Sequence, residues 1–120
     1  MGGFFGVAGK MDCVGDLFYG TDYHSHLGTK FGGLAVTGED GVIFKRAHSI
    51  SNAQFRSRFD AEIGLFKGNV GIGCISDFER QPVTVTGPLG TYAIVTVGKI
   101  TNADKILKAA YEDNRTHFTE

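Results

Sequence analysis

The chain has 120 residues, 42% of them hydrophobic and 21% charged, with a formal net charge of -1. That size and balance fit one small globular domain or part of a larger one. They exclude a basic nucleic-acid footprint, and no stretch reaches the ~20 apolar residues of a membrane span. Glycine is the outlier, with 18 residues. This is roughly twice the usual share of about 7%. The glycines lie between apolar runs, which points to tight turns and close backbone approaches. Two cysteines, Cys13 and Cys74, make no disulfide framework. The start shows no signal peptide, and Gly6 stands where a myristoylation motif needs Ser or Thr. A cytoplasmic protein with reduced thiols is expected.

Phe4 to Ala8 reads as a buried strand. Asp12 can cap a helix, and Val14, Leu17 and Phe18 follow at helical spacing. The predicted helix runs from Cys13 to about His24. Gly33 to Thr37 and Val42 to His48 form a hairpin around Gly38-Glu39-Asp40-Gly41. The polar segment 49–62 holds a short helix around Ala53 to Phe59. Asn69 to Ile75 is a strand interrupted by Gly71 and Gly73. A second hairpin pairs Val83 to Thr86 with Thr91 to Val97. Thr101 to Asp104 matches a helix start with an acid three residues after a hydroxyl. Ala103, Ile106, Leu107 and Ala110 then make one apolar face. Strands segregated from helices predict an α+β domain.

Several segments, in order, carry a resemblance. Gly2-Gly3-Phe4-Phe5-Gly6-Val7 resembles the Cys-Gly-Ile-Phe-Gly-Ile opening of class II glutamine amidotransferases, of the amidophosphoribosyltransferase type. Asp16 to Gly20 resembles that family's first helix. His26-Leu27-Gly28 is similar to its His-Arg-Gly turn, and Gly33-Leu34-Ala35 to the strand after it. Gly68 to Gly73 is similar to the approach to its Gly-Ile-Gly-His-x-Arg strand. Gln81-Pro82 matches its Gln-Pro, and Gly98, Thr101 and Asn102 fall in its Asn-Gly-Asn-Leu-Thr-Asn segment.

The resemblance implies the N-terminal nucleophile hydrolase fold, an αββα sandwich, with residues 1–120 forming only its first part. It implies a glutaminase-type domain followed by a phosphoribosyltransferase domain, in purine biosynthesis. A homo-oligomer is expected, with no cofactor, metal, nucleic acid or membrane.

Glutamine hydrolysis in that family needs a thiolate at the mature N-terminus, oxyanion donors and a cation for the substrate carboxylate. Gly2 occupies the nucleophile position and offers no sulfur or oxygen. Val97 stands where the family has its oxyanion Asn, while Gly98 keeps a backbone amide. Ser76 and Leu27 replace two Arg, and Cys74 replaces the neighbouring His. The expected reading is a glutaminase-like domain without glutaminase activity, with a structural or regulatory role.

Alternatives remain open. Cys74 or Cys13 could be a relocated nucleophile, although a thiol on a buried strand is more often inert packing. The chain could be an assembly module using its sheet edges. His24 and His26 with Asp22 read as helix-end residues in preference to a metal site. Gly71-Ile72-Gly73 reads as a closely packed strand in preference to a phosphate loop. Lys45, Arg46, Arg56 and Arg58 read as a solvated face.

Overall fold

The computed structural model describes residues 2–26 and 30–113. Leu27, one of the positions singled out above, lies outside the described residues. In chain order the elements are β1 (Gly3–Ala8), α1 (Val14–Tyr23), β2 (Phe31–Thr37), β3 (Phe44–Ser49), α2 (Phe55–Phe59), a 3-10 turn (Ile63–Leu65), β4 (Val70–Ser76), β5 (Val83–Gly87), β6 (Gly90–Ile94) and α3 (Ala103–Glu112). The expected order of strand, helix, hairpin, excursion, strand, hairpin and helix is what the chain adopts.

Four strands form one antiparallel sheet in the order β1-β4-β2-β3, and β5 pairs with β6 as a separate hairpin. In the main sheet Phe5 faces Gly73, which in turn faces Leu34. Residues alternate across a strand, so Phe5, Gly73 and Leu34 share one face, together with Val7, Gly71, Val36 and Ile75. That face carries the core, where α1 supplies Val14, Leu17 and Phe18 and the following segments supply Ile50, Phe55, Phe59 and Phe66.

Glycines in β4 set how closely α1 approaches. A Cβ on Gly73 would lie 1.9 Å from Thr21 Oγ1, and one on Gly71 would lie 2.7 Å from a Leu17 methyl. Bare backbone therefore takes the place of side chains between helix and sheet. The interrupted strand of the sequence is a docking surface for α1, and no phosphate loop forms there.

Three local expectations need correction. Asp12 is not the cap residue of α1; Cys13 holds that place and makes no side-chain cap bond. Asp12 acts from one residue upstream. Its Oδ1 accepts the Val14 N–H at 3.0 Å and its Oδ2 accepts the Gly68 N–H at 3.1 Å. One carboxylate thus ties the start of α1 to the approach of β4. The hydroxyl-acid start at Thr101 also fails, because Asn102 is the residue before α3 and no side chain caps it. Finally, two strands are shorter than expected, while β1 and β2 begin earlier, at Gly3 and Phe31. β3 begins at Phe44 and β6 ends at Ile94, leaving Val97 beyond the hairpin.

The basic group is dispersed into structural contacts. Arg46 lies 4.3 Å over the Phe44 ring. Arg58 Nε donates to the Ser49 carbonyl at 3.0 Å. Arg56 Nε donates to Asp22 Oδ2 at 2.6 Å, and this bond and the Asp22 charge raise the Arg56 pKa. On the other side of α2, His48 Nε2 and Glu62 Oε2 sit 2.8 Å apart, and the His48 ring leans on Phe59.

Candidate functional site

Four of the positions singled out in the sequence meet in one place. Gly2, Ser76, Val97 and Gly98 line a cleft of about 420 Å³, together with Glu79 and Gln81. Gly2 precedes β1, Ser76 ends β4, and Val97 and Gly98 follow β6, so the cleft opens between the main sheet and the end of the second hairpin. Cys74, the fifth position, lies in the floor strand two residues before Ser76 and is buried.

The backbone leaves no room at the first of these positions. A Cβ built on Gly2 would lie 2.2 Å from the Ile75 carbonyl oxygen. Real Cβ atoms do not approach an oxygen so closely, so any side chain there would displace the strand end. A second obstacle stands at Ser76. Its hydroxyl accepts the Phe78 N–H at 3.2 Å and the Glu79 N–H at 3.3 Å. That closes a tight turn of the kind serine favours. Ser76 is 6% exposed, and its oxygen serves the loop.

Cys74 is 1% exposed. Its thiol points at Gln81 Oε1 and at the Ile75 carbonyl, each at 3.7 Å. Burial, and then the Glu79 carboxylate, push its pKa up to about 11. A thiol becomes a nucleophile only as thiolate, so both effects hold Cys74 in its unreactive form. Cys13 was placed in a first helical turn, where a thiol pKa can fall. Here it rises instead. Burial is the largest cause, followed by the Asp12 carboxylate; a backbone hydrogen bond lowers it by less, and Asp16 adds the smallest rise.

The Cys74 shift sets a pH dependence. The fold favours the neutral thiol, so the stability this group contributes is full below its ordinary pKa of 9.0 and is lost as pH rises toward about 11. Chemical denaturation between pH 8.5 and pH 11 should show the native protein losing stability more steeply than Cys74→Ala. Parallel slopes for the two proteins would remove Cys74 from the account.

Among the described residues no group of three or more His, Cys, Asp or Glu is placed to hold a metal ion. Asp22 is engaged by Arg56. His24 packs its ring onto Gly3, where a Cβ would lie 2.8 Å from Nδ1. A larger cleft of about 650 Å³ runs between the end of α1 and residues 50–56; it is lined by the paired Asp22 and Arg56 and by none of Gly2, Cys74, Ser76, Val97 and Gly98.

No known family model matches the sequence, and comparison with curated proteins finds no match. Solved structures do match. Glutamine phosphoribosylpyrophosphate (PRPP) amidotransferase from B. subtilis, complexed with ADP and GMP, superposes with a TM-score of 0.79 over 99% of this chain, at 21% identity. The fold is that of the glutamine amidotransferase domain. A second structure, described as the allosteric regulatory enzyme of purine biosynthesis, superposes at 0.78 with 21% identity. This chain spans 26% of the length of either enzyme. It therefore matches only a first part of the amidotransferase fold, in agreement with the α+β sandwich expected from the sequence.

The sequence pointed to the cleft's lining but missed how it is held. Gln81 was matched to the family only as half of a Gln-Pro pair. In the structure Gln81 is 5% exposed and both ends of its carboxamide are bonded. Nε2 donates to the Thr96 carbonyl at 3.1 Å, and Oε1 accepts the Thr96 N–H at 2.7 Å. A glutamine sitting 15 residues from its partner gives no local signal. The hint was the register, since Val83 faces Ile94 and two more residues along the same ladder bring Gln81 opposite Thr96.

Proposed function

We propose that this chain is a glutaminase-type domain that does not hydrolyse glutamine, and that it serves a structural or regulatory role beside a phosphoribosyltransferase domain in purine biosynthesis, in the cytoplasm. The observation that carries the reading is the backbone at Gly2. The position assigned to the nucleophile has no reactive atom, and the Ile75 carbonyl occupies the space its first carbon would need. Three further features support it. Ser76 is engaged in its own turn, Val97 offers no side-chain amide donor at the oxyanion position, and the thiol of Cys74 is buried and its pKa raised. Covalent catalysis needs an activated nucleophile within reach of a base, and among the described residues of the cleft no activated nucleophile stands.

An assembly role is part of the same proposal. β1 stands at the edge of the sheet order and carries no charged residue or proline, the devices that usually block strand addition. Phe4, Phe78, Tyr92, Ile94 and Val97 remain exposed. Such surface suits packing against a further domain or against a second copy in a homo-oligomer.

The reading in which Cys74 or Cys13 acts as a relocated nucleophile finds no support in the burial and pKa of either thiol. Incubation of the native protein with glutamine, with coupled detection of glutamate, separates the two readings. No release above the uncatalysed background is expected. Release that vanishes in Cys74→Ser or Cys13→Ser would establish the hydrolase reading instead.

A further inference from the structure

We infer that Gln81 is a positioning residue for the cleft, whose carboxamide takes the place of a missing backbone pair and fixes the Val97–Gly98 wall. The argument begins with the hairpin. β5 and β6 pair with Val83 opposite Ile94, Val85 opposite Tyr92 and Gly87 opposite Gly90. Every second pair in an antiparallel ladder exchanges both backbone hydrogen bonds. Extending this register by two residues sets Gln81 opposite Thr96, in phase with Val83 and Ile94. The backbone ladder does not reach that far, because β5 starts at Val83 and the Gln81 carbonyl oxygen lies against Gly33 instead.

Thr96 would then carry an unpaired N–H and C=O beside a buried segment. The Gln81 side chain meets both. Its Oε1 accepts the Thr96 N–H at 2.7 Å and its Nε2 donates to the Thr96 carbonyl at 3.1 Å. A primary amide presents an acceptor and a donor side by side, which is what an opposing strand residue would present. The Thr96 N–H, which can only donate, fixes which end of the amide is oxygen, and the Cys74 Sγ lies 3.7 Å from that oxygen. The backbone of Gln81 is itself seated, since its carbonyl oxygen occupies the space a Gly33 side chain would take.

The clamp has a consequence for the cleft. Val97 and Gly98 directly follow Thr96, and Gly98 has φ at +141°, a conformation that side-chain-bearing residues rarely adopt. With Thr96 held, the peptide that resembles the family's oxyanion segment points one way. With Thr96 released, residues 96–99 are tied to the sheet only through their flanks.

Hydrogen exchange read at single amides tests the clamp, whether or not the cleft has a ligand. In Gln81→Leu the Thr96 amide should exchange about tenfold faster, the scale of losing one hydrogen bond. The β4 amides at Ile72 and Cys74 should change much less. Gln81→Glu keeps the shape and supplies a second reading. A protonated carboxyl can donate to the Thr96 carbonyl and accept from its N–H, whereas a carboxylate can only accept. Either form still accepts the Thr96 N–H, so relative to native protein at the same pH Thr96 should keep its protection in Gln81→Glu where Gln81→Leu loses it. Unchanged Thr96 exchange in both variants would overturn the inference. So would a loss spread equally over β4, which would make Gln81 an ordinary core residue.

Discussion

Gly33→Ala should be among the most damaging single substitutions in the chain, although it adds one methyl group. Gly33 lies in β2 opposite Cys74. A Cβ there would lie 1.7 Å from the Gln81 carbonyl oxygen and 2.9 Å from the Pro82 ring. Neither neighbour is the free end of a flexible side chain. The segment 81–82 must therefore move away from the sheet, and it carries the amide that holds Thr96 and meets the Cys74 thiol. Forcing a methyl into a filled space costs roughly 1–3 kcal/mol, and leaving buried polar groups unpaired adds about 1–3 kcal/mol. A loss of about 3–5 kcal/mol is a large part of the 5–15 kcal/mol typical of a domain. The melting temperature should fall by more than about 10 °C. Gly15→Ala is the control. Gly15 sits inside α1 with nothing within 4 Å of an added Cβ, so there alanine should stabilise by up to about 1 kcal/mol. Similar small effects at both sites would show that the 81–82 segment does not rest on Gly33.

Phe55→Ala should rank beside it. Phe55 is 1% exposed. Its ring centroid lies 4.6 Å from that of Phe59 and 5.6 Å from that of Phe18, so it joins α2 to α1. It also covers bare backbone, since a Cβ on Gly32 would lie 2.7 Å from the Phe55 ring. Removing the ring opens a cavity over Gly32 that no neighbouring backbone can readily fill. Buried Phe→Ala changes cost about 3–5 kcal/mol. Urea unfolding should show the midpoint fall with an unchanged slope, as expected when stability changes and the surface exposed on unfolding does not. A loss below about 1 kcal/mol would mean that α2 is a loose attachment and not part of the core.

These two sites show where sequence reading reached and where it stopped. Strand alternation and helical spacing are properties of neighbouring residues, so β1, β4, α1 and the second hairpin could be placed from the chain alone. The abundance of glycine suggested close backbone approaches, but not which partner approaches which glycine. Gly33 meets a carbonyl 48 residues away, and no local pattern contains that fact. The same limit explains Asp12. An acid before a helix reads as a cap, yet its second oxygen serves Gly68, at the approach to a distant strand. Thr101 failed for the opposite reason, since a correct local pattern was present and the helix began one residue later on its own geometry.

The candidate site followed a similar course. Gly2, Leu27, Cys74, Ser76 and Val97 were chosen because they depart from a family pattern and Gly98 because it keeps one, and the fold brings Gly2, Ser76, Val97 and Gly98 to one cleft with Cys74 in its floor strand. Composition alone could not have gathered them. The sequence also could not show that Gly2 lacks space as well as chemistry, because the obstructing atom belongs to the backbone of β4. Nor could it show that the cleft's wall rests on one buried glutamine.

The central claim is that no atom of this protein attacks glutamine. Intact-mass spectrometry after treatment with an electrophilic glutamine analogue, which alkylates an activated thiol, reads that claim directly. The native mass should stay unchanged at concentrations that label an active glutaminase to completion. A stoichiometric adduct blocked by glutamine, mapped to the amino-terminal residues, Cys13 or Cys74, would contradict it.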